Sequence, residues 1–90
     1  MNKKTSAEIE KTIDLLNLYK AEAETIENYI KSLLAVEEQH RDNIPAKPQY
    51  EHLIEKADYV CDYIGAAEEY MEEVKSSIDD VINALQRAMK

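Results

Sequence analysis

The chain has 90 residues and a formal net charge of −8 at pH 7, with 33% charged and 44% hydrophobic residues. This length predicts one domain, residues 1–90, with a modest core, and the hydrophobic content excludes a disordered tail. The acidic excess argues against direct binding to nucleic acid or to anionic membranes, where Lys and Arg must meet phosphates.

The first half of the chain predicts a helix at about residues 5–40. Thr5 and Glu8 have the spacing of a capping box, which marks a helix start. Apolar residues then follow at helical spacing, and a neighbouring line widens the stripe. The stripe contains Ile9, Ile13, Leu16, Tyr19, Ala23, Ile26, Ile30, Leu33 and Leu34, and the second line contains Leu15, Tyr19, Glu22, Ile26, Tyr29, Leu33 and Val36. A stripe this wide predicts a helix that contacts two neighbours.

One turn signal interrupts the chain, at residues 41–48. Asn43 is suited to the left-handed conformation that ends many helices, and Pro45 cannot continue the hydrogen-bond ladder. Pro48 suits the first position of a following helix. A connection this short makes the two helices antiparallel neighbours.

The second half predicts a helix at about residues 48–90 with a heptad repeat, and this repeat predicts a seam for packing against other helices. We expect the seam to form a homodimer, a four-helix bundle, because Ile54, Cys61, Ile82 and Met89 add apolar width beside it. Gly65 is the one weak point, where a break would give three helices instead of two. The predicted dimer seam contains Leu53, Val60, Ile64, Met71, Val74, Ile78, Val81 and Leu85.

The negative charge is concentrated in residues 51–80, which hold ten acidic and two basic residues. A solvated helix face is the simplest interpretation of such a stretch. The alternative is a contact surface for a basic protein, because there is little compensating base and tyrosines lie among the acids. The predicted partner-binding residues are Glu51, Glu55, Asp58, Tyr59, Asp62, Tyr63, Glu69, Tyr70, Glu72 and Asp79.

Candidate chemical sites are weak. Glu37 and His40 form one Glu-x-x-His motif, but a di-iron bundle needs two, and a zinc site with His52 would lack ligands. Carboxylates outside the seam are also misplaced for a shielded magnesium site. Cys61 has no cysteine partner and acidic neighbours, which disfavours a nucleophile and suggests a reducing compartment. We therefore expect no enzyme, catalytic residue, metal or cofactor.

Localisation is expected to be cytoplasmic, because neither a signal peptide nor a membrane-spanning run is present. The hairpin outline is similar to that of WXG-type secretion partners, although Asn43-Ile44-Pro45 stands where those have a Trp-x-Gly turn. It also resembles small RNA-binding hairpin dimers of plasmids, which need a basic face.

Three functional hypotheses follow, in order of preference. The first is an acidic, non-enzymatic inhibitor or regulator that binds a basic, nucleic-acid-handling protein, for example a phage-encoded inhibitor of host defence. The second is a structural or secretion partner that pairs with another helical protein. A metal-dependent enzyme comes third.

Overall fold

Two long antiparallel helices make up the computed structural model, which describes residues 2–90. Helix α1 spans Lys3–Asp42 and helix α2 spans Glu51–Ala88, with a single 3₁₀ turn at Pro48–Tyr50 leading into α2. The predicted all-α helical hairpin is confirmed, and residues 2–90 contain no strand. Over the same residues, neither helix combines the length and hydropathy needed to cross a membrane.

Helix α1 begins earlier than predicted. Asn2 is the N-cap, and its side-chain oxygen accepts a hydrogen bond from the backbone N–H of Thr5 at 2.8 Å. This bond satisfies one of the donors that the first turn of a helix leaves free. Thr5 and Glu8 lie inside the helix, so the predicted capping box at this position is wrong.

The connection between the helices follows the predicted turn in its position but not in its conformation. Asn43 ends α1 with φ −83° and ψ −9°, which is right-handed, so the predicted left-handed cap is wrong. Its N–H donates to the carbonyl of Gln39 at 3.0 Å, and this bond closes the last turn. Pro48 opens the 3₁₀ turn as predicted, and the N–H of Tyr50 donates to the carbonyl of Lys47 at 2.9 Å.

Helix α2 is continuous through Gly65, so the three-helix alternative is wrong. Gly65 is half-buried and has ordinary helical backbone angles. A Cβ atom built at this position would have no neighbour within 4 Å. The glycine therefore lowers helix propensity here without serving a turn or a close approach of the backbone.

The contact between the helices is made by one regular heptad line on each, which we call the inner seam. Its members are all buried or half-buried. On α1 the inner seam contains Ile9, Ile13, Leu16, Lys20, Ala23, Glu27, Ile30 and Leu34. On α2 it contains Ile54, Ala57, Cys61, Ile64, Glu68, Met71, Lys75, Ile78, Ile82, Leu85 and Met89.

The most buried positions of this core are few. Ala23, Cys61 and Ile82 are the buried apolar side chains among the described residues, and Glu27 is the buried charged one. Cys61 and Ile82 were predicted to flank the seam of α2, yet they lie in its centre. The hairpin measures 70 × 16 × 12 Å, so it is only two helices wide and each helix leaves most of its circumference uncovered.

Candidate functional site

Helix α1 carries a line of large hydrophobic side chains that the hairpin does not cover. These residues recur at steps of three and four, or seven where Glu22 intervenes, as expected for a second heptad line beside the inner seam. Each is about half exposed or more. The line contains Leu15, Tyr19, Ile26, Tyr29, Leu33 and Val36.

Helix α2 carries a matching line with a spacing of seven. Leu53, Val74 and Val81 are 50%, 43% and 47% exposed, and Val60 is half-buried between them and the core. Ala67 fills the remaining heptad position. The rest of the predicted dimer seam, namely Ile64, Met71, Ile78 and Leu85, is half-buried in the inner seam. The predicted dimer seam is therefore split: half of it lies in the hairpin core and half lies on an exposed line. The four half-buried positions belong to both the inner seam and the predicted dimer seam.

Both exposed lines lie on the same side of the hairpin. Ile26 directly precedes Glu27 and Val74 directly precedes Lys75, and Glu27 contacts Lys75 across the helices at 2.9 Å. Two antiparallel helices are related by an approximate twofold axis perpendicular to the plane that contains them. This axis exchanges the helices but leaves each side of the pair where it is. Residues that directly precede the inner seam, such as Ile26 on α1 and Val74 on α2, therefore lie on the same side. We call this side the apolar face, and its groove is lined by Leu16, Tyr70, Glu73, Val74, Ser77, Ile78 and Val81.

The opposite side of the hairpin is polar and carries two of the ion pairs that link the helices. Lys20 Nζ lies 2.6 Å from a carboxylate oxygen of Asp79, and Arg41 Nη1 lies 3.5 Å from one of Asp58. Asp79 precedes Val81 by two residues, which turns its side chain by about 200° around the helix. Asp79 thus points away from the apolar face.

The predicted acidic surface is partly neutralised within the chain. Asp58 and Asp79 take part in the ion pairs described above, while the other five predicted carboxylates have no ion-pair partner within residues 2–90. Those five are Glu51, Glu55, Asp62, Glu69 and Glu72. The remaining cationic contact to this helix is Lys31 to Glu68 at 4.0 Å.

The predicted tyrosines lie along the outer surface of α2. Tyr59 and Tyr63 pack against each other with ring centroids 4.7 Å apart and planes tilted by 50°. Both are about 64% exposed, as is Tyr70. By helical spacing, Tyr63 and Tyr70 lie between the unpaired carboxylates and the apolar face. They can therefore contribute contact area to either surface.

A buried ion pair at mid-hairpin escaped the sequence analysis. Glu27 is 2% exposed, and its Oε1 accepts a hydrogen bond from Lys75 at 2.9 Å and lies 3.5 Å from Lys31. Its second oxygen, Oε2, has no hydrogen-bond partner. The hydrogen bond from Lys75 lowers the pKa of Glu27 against the opposing effect of burial, and the same bond raises the pKa of Lys75. One signal was available: the stripe predicted on α1 slips at Tyr19, where a regular heptad line from Ile9, Ile13 and Leu16 continues instead through the polar residues Lys20 and Glu27.

The candidate chemical residues do not converge. Glu37 lies 3.8 Å from His40 within one helical turn. Residues 2–90 contain no group of three His, Cys, Asp or Glu side chains placed to hold a metal ion. Cys61 is buried, and burial raises the pKa of its thiol, which lowers the fraction of reactive thiolate.

Comparison with known proteins adds no identification: no protein family, curated protein or solved structure matches this chain.

Proposed function

We propose that this protein is a non-enzymatic binding module that associates with a helical surface through its apolar face. The observation that carries the proposal is the exposure of two parallel heptad lines on one side of a narrow hairpin. Monomeric proteins rarely leave an apolar patch of this extent uncovered, and such patches mark interaction sites. The spacing of both lines is that of helix-in-groove or helix-bundle packing.

The shared positions on α2 support the same proposal. Three half-buried residues belong both to the inner seam and to the predicted dimer seam, namely Ile64, Met71 and Ile78. Side chains placed between two seams are typical of helices with more than one neighbour. A partner on the apolar face would complete their burial. The free cysteine, Cys61, is compatible with action in the reducing cytoplasm.

Site-specific photo-crosslinking in the native cells tests this proposal. A photo-reactive residue at Val74 is expected to give covalent adducts, because that position lies in the middle of the apolar face. The same residue at Ser76 is the control, because Ser76 is exposed on the outer side of the same helix turn. The absence of adducts at position 74, or equal yields at both positions, would contradict the proposal.

A second function is favoured by the unpaired carboxylates around the Tyr59–Tyr63 pair. Five predicted carboxylates without an internal cation leave a line of negative charge along α2, and the two packed tyrosine rings supply contact area. Such a surface would suit an inhibitor or regulator that binds a basic, nucleic-acid-handling protein, as a phage anti-defence protein does. This function ranks second because Asp58 and Asp79 are already paired within the chain.

Charge reversal on the outer surface of α2 tests whether the acidic residues bind a partner or only face solvent. Replacing Glu55, Asp62 and Glu69 together by Lys is expected to leave the fold intact, because none of them has an ion-pair partner within residues 2–90. Binding to a basic partner should fall by at least about tenfold at low salt and lose its salt dependence. The matched control changes Glu8, Glu10 and Asp14 of α1 to Lys. Equal binding affinity of the two variants at low salt would show that the acidic surface does not contribute to partner binding.

A further inference from the structure

The surface area of the hairpin shows how much of it a partner has to cover. The chain exposes 6968 Å², whereas a compact monomer of 10.4 kDa is expected to expose roughly 5,400 Å². The excess is about 1,600 Å² by the same scaling. A specific interface buries about 800 Å² on each partner, and obligate homodimers bury more. The excess is thus large enough for an extensive, permanent interface.

The shape of the apolar face indicates a partner that is itself two helices wide. Its two lines run side by side along both helices, from Leu15 to Val36 on α1 and from Leu53 to Val81 on α2. A single helix would fill the groove between them and leave their outer edges exposed. A second helical hairpin with the same heptad spacing would meet both lines along their length. This chain is such a hairpin.

Charge placement permits two copies to meet despite the net charge of −8. Along the exposed lines, Glu22 is the one charged residue between Leu15 and Val36, and the α2 line from Leu53 to Val81 has none. Glu73 is the one charged side chain that lines the groove. Apart from Glu73 and from Glu68 in the inner seam, the acidic residues of 51–80 lie on the outer and opposite sides by helical spacing. Face-to-face packing therefore keeps the like charges of two copies apart, which a back-to-back arrangement would not.

From the area, the width and the charge placement together, we infer that a second copy of this chain covers the apolar face and forms a four-helix bundle. The inference rests on the proposed function, since it names the occupant of that same surface. In such a bundle Ile64, Met71 and Ile78 would lie in the central core, and the unpaired carboxylates of both copies would remain on the outside.

Light scattering and thermal unfolding of the unmodified protein provide the first test. We expect a mass of twice 10.4 kDa at micromolar concentration and a melting temperature that rises with protein concentration, because unfolding is then coupled to dissociation. A monomer at about 100 μM, with a melting temperature independent of concentration, would overturn the inference. Adducts of Val74 with a different protein in native cells would still support the proposed function, so the two can fail separately.

Paired charge substitutions then identify the surface. Ile26→Glu with Val74→Glu should raise the dimer dissociation constant by about 100-fold or more, because it buries two carboxylates on each chain. The matched control, Asn28→Glu with Ser76→Glu, adds the same charge at the same height on exposed positions and should remain dimeric. Val74→Ser adds no charge and should raise the dimer dissociation constant by a smaller factor. It replaces the charged variant in this test if the charged variant fails to fold. An unchanged dimer in the face variants, or dissociation of the control, would show that the apolar face is not the interface.

Discussion

Replacing Lys75 by Met is expected to lower the melting temperature by roughly 10 °C or more. The substitution removes the cation that donates to Glu27 at 2.9 Å and leaves a carboxylate that is 2% exposed. An unpaired buried charge is far more costly than a lost surface ion pair, because the carboxylate cannot recover its hydration. Lys31 contacts the same oxygen at 3.5 Å but is itself about half exposed, so it replaces Lys75 only in part.

The pH dependence of this variant separates loss of the ion pair from loss of packing. In the native protein the pKa of Glu27 is lowered from its ordinary value of 4.5. Its contribution to stability is therefore present above that value and is lost as the pH falls through the lowered pKa. Without Lys75, burial dominates and favours the protonated carboxyl, so acidification stabilises the variant relative to the native protein. The difference in melting temperature should thus narrow as the pH falls from neutral through 4.5 and on through the lowered pKa of Glu27 in the native protein.

Two further variants control this experiment. Lys31→Met removes a neighbouring, half-exposed cation and is expected to change the melting temperature by only a few degrees. Adding Glu27→Leu to Lys75→Met replaces the pair by two apolar residues and should recover most of the stability. A gap that stays constant with pH, or a double variant no more stable than the single one, would show that Lys75 acts through packing alone.

Ile82→Ala is expected to reduce the free energy of unfolding by about 2–4 kcal/mol, the usual cost of truncating a buried Ile. Ile82 is 8% exposed, and in a two-helix hairpin only α1 can provide that burial. The core contains few buried side chains, so a cavity there removes a large fraction of the stability of a 90-residue chain.

Leu18→Ala is the matched control for this truncation, because Leu18 is 63% exposed. It should change stability by no more than about 0.5 kcal/mol. Chemical denaturation of the three proteins at one concentration measures both effects. Equal losses for Ile82→Ala and Leu18→Ala would contradict the assignment of the inner seam.

Helix periodicity predicted the hairpin, its turn and the approximate helix ends, because these depend on local pattern and on scarce Pro and Gly. It did not predict which of two heptad lines on α2 faces α1. Both pass through Ile64, Met71 and Ile78, and the more apolar line, through Val74 and Val81, was chosen. The structure instead places the half-buried Lys75 against α1, where its partner Glu27 is buried.

A buried polar residue is stable only with its partner, and that pairing is invisible in the pattern of either helix alone. For the same reason the acidic surface was overestimated. Asp58 and Asp79 appeared unpaired within their own stretch, while their cations, Arg41 and Lys20, come from α1. The exposed line on α1 was visible from sequence, but its placement beside the exposed line of α2 required the register of the hairpin.

The extended shape of the hairpin has a consequence for how its size is measured in solution. Its Cα radius of gyration is 20.5 Å, a value that a compact domain reaches at roughly 350 residues. A rod of this length diffuses slowly for its mass and samples a large hydrodynamic volume as it tumbles. On a gel-filtration column calibrated with globular standards, one copy would therefore elute at the position of a much heavier particle. Two hairpins stacked side by side would elute only modestly earlier than one, since stacking thickens the rod without lengthening it. Elution volume is therefore a poor measure of the number of copies.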